Sequence, residues 1–409
     1  MGRVILGLHV FTFMLTLNAG SDSMANKRRM LGRERMRTPA DSRRVASTSN
    51  GELLDTLPHI KRVSRIKYAI LHRYLPAWAR ILGSENRRLC YFDCYAGRGQ
   101  YEFQGQAVKG SALVAVSDAK EYVSEKSGRL MAVVLMEKNA KEAEALQTSL
   151  GRFQPYPKGL EVHVLAADSR RLVKDMLSQI DELAPSFFMI DPYGHPLSIP
   201  LIKAILARQR TEALITLMWY RINMDLGNPA VQHLVDNLFG DGSWRGQPFV
   251  NETGNTREEH FLDFFSSRLG GKFVLPFRIG FDPEDAVRGH RTKYYLLHAS
   301  NHPKAALLMK EVMWPLGDED GTFDFSGEAQ GVLISKTPKE EELEQILLQE
   351  LSGERLAFDE IRERTWNLPF IERHYRSVLK GLEGRGNVSV KRITSKETGL
   401  SGRDLITFR

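Results

Sequence analysis

The sequence contains very little cysteine: only Cys90 and Cys94 occur among its 409 residues. Two cysteines are too few for a disulfide framework or for a cysteine-based structural zinc site. No HxxxH or HxE…CxxC spacing indicates another kind of metal site. Because disulfides belong mainly to oxidising compartments, we expect a cytoplasmic protein that holds no resident metal ion.

Two common nucleotide-binding motifs are also missing. The chain has no GxxxxGK[ST] sequence, which excludes a P-loop kinase or ATPase. Gly97 and Gly99 begin a G-x-G pattern, but Glu102 stands where a dinucleotide-binding fold has its third glycine. A carboxylate at the start of the following helix would repel a pyrophosphate, so NAD and FAD are disfavoured.

The first 50 residues have the composition of a disordered basic arm. Residues 4–20 form an apolar stretch like a short signal-peptide core, and this stretch is too short for a comfortable membrane span. From Lys27 to Arg44 there are eight lysines and arginines against two acids. A start codon assigned too far upstream and an exported chain beginning near Ala19 both stay open. We expect no membrane partner, because the rest of the chain shows no export signature.

The chain between residues 51 and 335 is predicted to form one α/β domain. Strands and helices alternate five times between residues 89 and 220, and the strands are nearly continuous apolar runs. Such runs are typical of a parallel, doubly wound sheet that is covered on both faces. Further elements are predicted at 59–82 (one or two helices, broken near Pro76), 223–271 (partly helical), 272–281 and 293–300 (strands).

Acidic residues stand at the ends of consecutive predicted strands: Asp93, Glu137, Asp168 and Asp191. In open parallel sheets, ligands bind beyond the carboxyl ends of the strands. S-adenosyl-L-methionine suits such acids, because it carries no phosphate and has a net positive charge. Glu137 is expected to accept hydrogen bonds from the ribose hydroxyls and Asp168 from the adenine amino group. Gly97 and Gly99 would let the backbone approach the methionine part, and Asp191 would lie beside the methyl donor.

Three stretches carry a resemblance to a known family: FDCYAGRGQYEFQGQAVKGS at 92–111, IDPYG at 190–194 and YYLLHASNHPKAALLMKEVMW at 294–314. They resemble class I SAM-dependent methyltransferases, and more narrowly the three-Cys-motif partner (TcmP) family. Its members share a "DxFAGxGxY…GS" opening, a "DPxG" motif and a late "YYL…(T/S)xH" segment. The similarity covers roughly residues 59 to 408.

The resemblance implies a Rossmann-like class I methyltransferase sheet that binds S-adenosyl-L-methionine. Asp93 and Tyr95 then join the cofactor-binding residues, with Tyr95 in place of the family's phenylalanine. Arg98 replaces a proline, and its charge either weakens binding of the cationic ligand or meets the ligand's carboxylate. The resemblance also implies a partner, an iron–sulfur-type protein with a three-cysteine motif, and a setting of nucleic-acid modification or repair.

Asp191, Pro192 and Tyr193 are the candidate catalytic residues. They are similar to the (D/N)PP(Y/F) motif of amino methyltransferases, although the second proline is missing and the aromatic residue comes one place early. One interpretation is that Asp191 and the Pro192 carbonyl orient a base amine while Tyr193 stacks on the flipped base. The other is a strand-end turn that only shapes the floor of the cofactor site.

Residues 336–409 are predicted to form a winged helix-turn-helix domain of three helices and a terminal hairpin. The segment from Arg362 to Arg409 carries eleven bases against five acids. We expect this domain to bind DNA or RNA through phosphate contacts, although winged helices also bind proteins. The candidate nucleic-acid-binding residues are Arg373, Arg376, Lys380, Lys391 and Arg392.

Two functions fit these patterns. The first is a SAM-dependent methyltransferase that acts on nucleic acid, brought to its substrate by the C-terminal domain. The second is a non-catalytic protein with a methyltransferase-like fold that binds nucleic acid or a partner protein. The net charge of +7 agrees with an anionic partner in either case.

Overall fold

The structure is a computed structural model that describes residues 57–180, 182–193, 197–281, 291–317, 324–325, 340–393 and 399–409. The predicted basic arm at 1–50, with its signal-like stretch, lies outside the described residues. None of the helices in the described ranges combines the length and the apolar character needed to cross a bilayer.

Helices and strands alternate through most of the described chain. The first part contains α1 (Arg62–Leu82), β1 (Arg88–Asp93), β2 (Gln100–Phe103), β3 (Gln106–Lys109), α2 (Ser111–Glu125), β4 (Leu130–Glu137), α3 (Ala140–Leu150), β5 (Leu160–Ala166), α4 (Ser169–Gln179), β6 (Ser186–Ile190), α5 (Ile199–Leu206) and β7 (Thr211–Leu217). The second part contains α6 (Trp219–Leu226), α7 (Gln232–Phe239), α8 (Gly254–Arg268), β8 (Phe273–Gly280), β9 (Thr292–Ser300), α9 (Pro303–Met313), β10 (Asp324–Phe325), α10 (Glu340–Glu350), β11 (Arg355–Ala357), α11 (Phe358–Arg364), α12 (Glu372–Gly384), β12 (Val388–Lys391) and β13 (Leu405–Phe408).

Eight strands form one large sheet in the order β10-β8-β9-β7-β6-β1-β4-β5. β1, β4 and β5 are parallel neighbours, whereas β9 runs antiparallel to both β7 and β8. The order reverses at β1, because the chain moves outward through β4 to β5 before it forms β6. The prediction of an α/β fold with a parallel-dominated sheet is therefore confirmed.

Packing divides the chain into two compact units. The first comprises the described residues up to Lys61 together with Ala79–Phe187. In it, the β2–β3 hairpin pairs with the segment before α1, where the Glu102 N–H donates to the Pro58 carbonyl over 3.0 Å. Buried apolar residues line β1 and β4, as expected for strands that helices cover.

The second unit comprises Arg62–Trp78 and the chain from Phe188 onward. Part of its core is a cluster of aromatic rings contributed by α6, α7, α8 and the turn before α8. Phe261 is fully buried at the centre of this cluster, with its ring centroid 4.9 Å from that of Trp219 and 5.2 Å from that of Phe249. Burial of such rings stabilises each position by roughly 1.5–3 kcal/mol.

Three predicted elements differ from the structure. Glu102, which the sequence pattern placed at the start of a helix, lies in the first strand of the β2–β3 hairpin. The strand predicted to run to Tyr220 ends at Leu217, because Trp219 begins helix α6. Finally, α1 is a single helix, one of the two alternatives, and it continues through Pro76 without the predicted break.

The position of Glu102 also corrects the argument against dinucleotides. The sequence pattern placed this carboxylate at a helix N-terminus, but α2 begins only at Ser111. The Glu102 carboxylate accepts a hydrogen bond from the Gly105 N–H within the hairpin, over 2.6 Å. It therefore stabilises the hairpin turn. It does not lie at a helix N-terminus, where it would repel a pyrophosphate.

The chain from residue 340 onward forms three helices, α10 to α12, and an antiparallel sheet ordered β11-β13-β12. The predicted three helices and terminal hairpin are confirmed as elements, and β11 is an additional strand that pairs with β13. Their common core includes Leu343, Phe358, Leu379 and Ile406, all fully buried.

A buried lysine joins this C-terminal module to the rest of the second unit. Lys310 on α9 is 1% exposed, and its ammonium donates to the backbone carbonyls of Trp366 and, over 2.7 Å, Leu368. The Trp366 ring also meets that of Phe273 on β8 edge to face, with centroids 5.0 Å apart. Burial lowers the pKa of Lys310 to about 7, and the nearby Arg362 adds to this effect.

We predict that the free energy of unfolding increases as pH rises, because the folded protein loses the Lys310 proton. The folded protein releases this proton near pH 7, whereas the unfolded chain holds it up to the ordinary value of 10.5. Between these values the unfolded state binds more protons, so alkaline pH favours the folded state. From pH 7 to 9, wild type should gain on the order of 1–2 kcal/mol in unfolding free energy relative to Lys310→Met, measured by urea denaturation.

The exposed Lys304 on the same helix provides the control, because Lys304→Met should differ from wild type by a similar amount at both pH values. A difference between wild type and Lys310→Met that stays constant from pH 7 to 9 would contradict the prediction.

Candidate functional site

The end of β1 places a carboxylate inside the first unit. Asp93 is the last residue of the strand and is fully buried. Its Oδ1 accepts a hydrogen bond from the Tyr95 N–H over 3.1 Å. The carboxylate therefore fixes the first residues of the turn that follows β1.

This turn needs glycine at two positions. Gly97 and Gly99 have φ angles of +59° and +86°, in the left-handed region that other residues rarely adopt. A Cβ on Gly97 would come 2.5 Å from the Tyr101 hydroxyl, and one on Gly99 would come 2.8 Å from a methyl of Leu146. The protein's own side chains thus require glycine at these two positions. The role of the two glycines in binding a cofactor stays a prediction.

Glu137, the last residue of β4, is tied to the same turn. One carboxylate oxygen accepts the Gly97 N–H over 3.0 Å, and the other accepts the Asn139 N–H over 2.8 Å. A carboxylate has about four acceptor positions, so these two bonds orient the group and leave about half of its capacity. The arrangement can accept two hydroxyl donors from a ligand.

The parallel register arranges the acids of β1, β4 and β5 in steps. Asp93 lies opposite Leu135 on β4, and Glu137 lies opposite Ala166 on β5. Glu137 therefore lies two residues further toward the carboxyl edge than Asp93. Two residues of a strand span roughly 6–7 Å. Asp168, two residues beyond Ala166, continues the series, so the three predicted cofactor acids share one edge of the sheet.

Asp168 has structural partners of its own. Its side chain caps α4 by accepting the Arg170 N–H over 3.1 Å, and the exposed Lys138 donates to its other oxygen over 3.1 Å. Burial raises the pKa of this carboxyl, but the Lys138 hydrogen bond and the charge of Arg170 outweigh burial and leave the pKa below its ordinary value. Asp168 therefore stays a strong acceptor at neutral pH.

Tyr95 and Arg98 complete the surroundings of the turn. Burial raises the pKa of Tyr95 to about 12, against a smaller opposing effect of a side-chain hydrogen bond with Ser169, the first residue of α4. Tyr95 thus links the turn after β1 to the start of α4. Arg98 pairs with Glu142 in the first turn of α3, 3.4 Å away, so this acid compensates its charge.

The candidate catalytic residues follow β6 in the second unit. The carboxylate of Asp191 accepts a hydrogen bond from the ammonium of Lys67 on α1, and the two side chains are 15% and 12% exposed. Pro192 is buried, whereas the Tyr193 side chain is fully exposed. Asp191 is therefore held by the protein, while the ring of Tyr193 is open to a stacking partner.

Sequence reasoning missed Lys67, because 124 positions separate it from Asp191 and helical spacing alone marks it as one cation among several. Sequence reasoning also gave no partner for His298. The structure buries His298 completely and places its Nε2 3.2 Å from the Glu212 carboxylate, which also accepts the Tyr74 hydroxyl. This buried trio is part of the core of the second unit.

The cysteines are poor candidates for chemistry. Both Cys90 and Cys94 are buried, and burial raises the pKa of each thiol, to about 12 for Cys90. Across the described ranges, no group of three His, Cys, Asp or Glu side chains could hold a metal ion.

A scan against protein-family models found no match, and a search of curated proteins found none either. Among solved structures, protein LPL1258 from Legionella pneumophila is 12% identical, with a TM-score of 0.38, over 65% of this chain and 95% of that chain. A SAM-dependent methyltransferase from Agrobacterium tumefaciens (10% identical, TM-score 0.30) and MNMC2 from Aquifex aeolicus (12%, 0.30) each align over 59% of this chain and 63% of their own. The chain thus spans less than two thirds of these last two proteins. Likenesses at these scores do not define a function.

We predict that the turn after β1 depends on Gly99. In Gly99→Ala, the new Cβ would press on Leu146 and, at 3.2 Å, on Leu113, in a backbone conformation strained for alanine. The unfolding free energy should fall by about 1–3 kcal/mol, measured by chemical denaturation. Gly151→Ala is the matched control, since Gly151 has a φ of −53° and open space around it. Equal stabilities for the two variants would contradict this account of the turn.

Proposed function

We propose that the chain is a class I SAM-dependent methyltransferase that modifies nucleic acid, with an exocyclic base amine as the acceptor. The observation that carries the proposal is the stepped series Asp93, Glu137 and Asp168 at the carboxyl edge of β1, β4 and β5. In open α/β sheets, ligands bind at this edge where the strand order reverses. The order reverses here at β1.

The residues of this edge suit a nucleoside that carries no phosphate. Glu137 would hold the ribose hydroxyls, because its oriented carboxylate keeps unused acceptor positions. Asp168 would accept from the adenine amino group, and Asp93 would fix the turn on which the methionine part lies. When bound, S-adenosyl-L-methionine supplies an electrophilic methyl group.

Acceptor binding is assigned to the motif after β6. Asp191 and the Pro192 carbonyl would accept hydrogen bonds from a base amine and so direct the nitrogen lone pair. Tyr193, fully exposed, would stack on a base taken out of its helix. These groups bind and orient the acceptor, and orientation alone accounts for large rate gains in group transfer.

We further propose that residues 336–409 form a winged helix-turn-helix module that presents α12 to nucleic acid. Arg373, Lys380 and Lys391 are exposed on it and form no ion pair with an acid of the described ranges, which suits them to phosphates. Two other candidates are already engaged. Arg376 bonds to Glu372 and to the Leu400 carbonyl, and Arg392 forms a double hydrogen bond with Glu383 at 2.9 and 2.8 Å.

A second candidate function is a non-catalytic binding module, and one observation favours it. Acids of α10 approach the exposed side of α12: Glu340 accepts from Ser377, and Glu344 pairs with Arg385. Negative charge beside a recognition helix weakens attraction to phosphates and suits a protein partner. The partner proposed from the family resemblance is the iron–sulfur-type protein with a three-cysteine motif.

Titration with S-adenosylhomocysteine in a calorimeter tests the enzyme proposal. Wild type should bind it, and Glu137→Ala should weaken binding at least tenfold, because a hydrogen bond to a charged group contributes about 1.5–3 kcal/mol. Glu144→Ala, an exposed acid on α3, is the control and should bind normally. Asp191→Ala should bind normally yet lose transfer of a labelled methyl group to pooled DNA and RNA.

The outcomes separate the two functions. Absence of binding by wild type would contradict the proposed cofactor. Binding without any methyl transfer to the pooled nucleic acids would favour the non-catalytic module, and full activity of Asp191→Ala would remove Asp191 from the reaction.

Phosphate contact by the C-terminal module is tested by salt dependence. In the double variant Lys380→Ala, Lys391→Ala, binding of a fluorescent oligonucleotide should weaken at every salt concentration. The slope of log affinity against log salt should become shallower by about 1–2, since each phosphate contact contributes 0.7–0.9. The exposed pair Lys141→Ala, Lys174→Ala gives the control with the same change of charge. Equal slopes for the two double variants would refute these contacts.

A further inference from the structure

The strongest unassigned contact is the ion pair between Lys67 and Asp191. Lys67 lies on α1, which precedes the whole sheet, and its ammonium donates to Oδ2 of Asp191. The two side chains are 12% and 15% exposed, so the contact is largely withdrawn from water. Ion pairs of exposed side chains are weak and common, but a pair sheltered to this degree is costly to break.

Tyr294 holds Lys67 in place in two ways. The Lys67 ammonium lies 5.6 Å from the centroid of the Tyr294 ring, within the range of a cation–π contact. The hydroxyl of the same tyrosine donates to the backbone carbonyl of Val63, one turn earlier on α1. Tyr294 thus fixes both the helix and the cation that the helix carries.

The two carboxylate oxygens of Asp191 differ in their hydrogen-bond partners. Oδ2 accepts from Lys67, and within the described ranges no side chain or backbone group bonds to Oδ1. A carboxylate fixed through one oxygen cannot rotate freely. Its other oxygen therefore keeps a set direction in which it can accept a hydrogen bond from a bound molecule.

We propose that Lys67 is a positioning residue, which holds the Asp191 carboxylate so that Oδ1 meets the acceptor amine; this inference rests on the proposed methyl transfer. Lys67 does not touch the acceptor. Its charge offsets that of Asp191, so the pair offers no net negative charge to a bound molecule. Such a pair suits a neutral amine, such as that of a nucleobase, and gives no net attraction to an ammonium group such as that of a protein lysine.

The test compares Lys67 variants in the full-length protein. Lys67→Gln should lower the rate of labelled-methyl transfer to pooled DNA and RNA by 10- to 100-fold, the loss expected when an orienting group is misplaced. Its dissociation constant for S-adenosylhomocysteine should stay within about threefold of wild type. Lys67→Arg, which keeps the cation, should retain more activity than Lys67→Gln. Arg73→Gln, an exposed cation on the same helix, is the control and should behave as wild type.

A double variant isolates the action through Asp191. In an Asp191→Asn background, Lys67→Gln should cause no further loss, because Lys67 acts only through the carboxylate. Poly-L-lysine offered in place of nucleic acid should receive at least tenfold less methyl label from wild type. Additive losses in the double variant, or preferred transfer to poly-L-lysine, would overturn the inference.

The remaining outcomes separate this inference from the function on which it rests. A Lys67→Gln protein with wild-type transfer rates refutes the positioning role and leaves the methyltransferase intact. A parallel loss of S-adenosylhomocysteine binding and activity in that variant assigns Lys67 a structural role instead. If wild type binds no S-adenosylhomocysteine, the proposed function fails, and the inference falls with it.

Discussion

The parallel register of β1, β4 and β5 is the constraint on which the candidate cofactor site depends. Parallel strands end at one edge, so residues that are 30 to 45 positions apart in the sequence become neighbours there. The register also sets the spacing, because Asp93 pairs with Leu135 and Glu137 with Ala166. The hydrogen bond from the Gly97 N–H to Glu137 then ties the turn of one strand to the tip of the next. A shift of one residue would turn each acid to the other face of the sheet.

Hydrogen bonds and ion pairs within the protein reduce the number of cations that a ligand can meet. A net charge of +7 indicates an anionic partner, but many cations of this chain already have a protein acceptor. Arg376 and Arg392 show this clearly, since both bond to a glutamate and to a backbone carbonyl. A cation that already holds a carboxylate gains little from a phosphate, because it must first lose its partner. Fewer cations are therefore available to an anionic partner than the composition indicates.

The sequence predicted those features that depend on local pattern. Apolar runs located β1, β4 and β6, and the acids at the ends of strands were correctly placed at Asp93 and Glu137. The β2–β3 hairpin was missed because its strands are only four residues long and contain no buried residue, so they lack an apolar run. Helix α6 was missed because Trp219 and Tyr220 continue the apolar character of β7. In both places hydrophobicity gave no sign of where one element ends and the next begins.

Contacts between distant segments could not be predicted in this way. Spacing on α12 grouped Arg373, Arg376 and Lys380, but only the fold shows that Arg376 is engaged by Glu372. The same holds for Lys67 on α1. Its contact with Asp191, which Tyr294 supports, joins positions that no local pattern relates. A helix outside the alternating pattern thus supplies a charge to the motif after β6, and the carboxylate of that motif is held by a residue that no local motif contains.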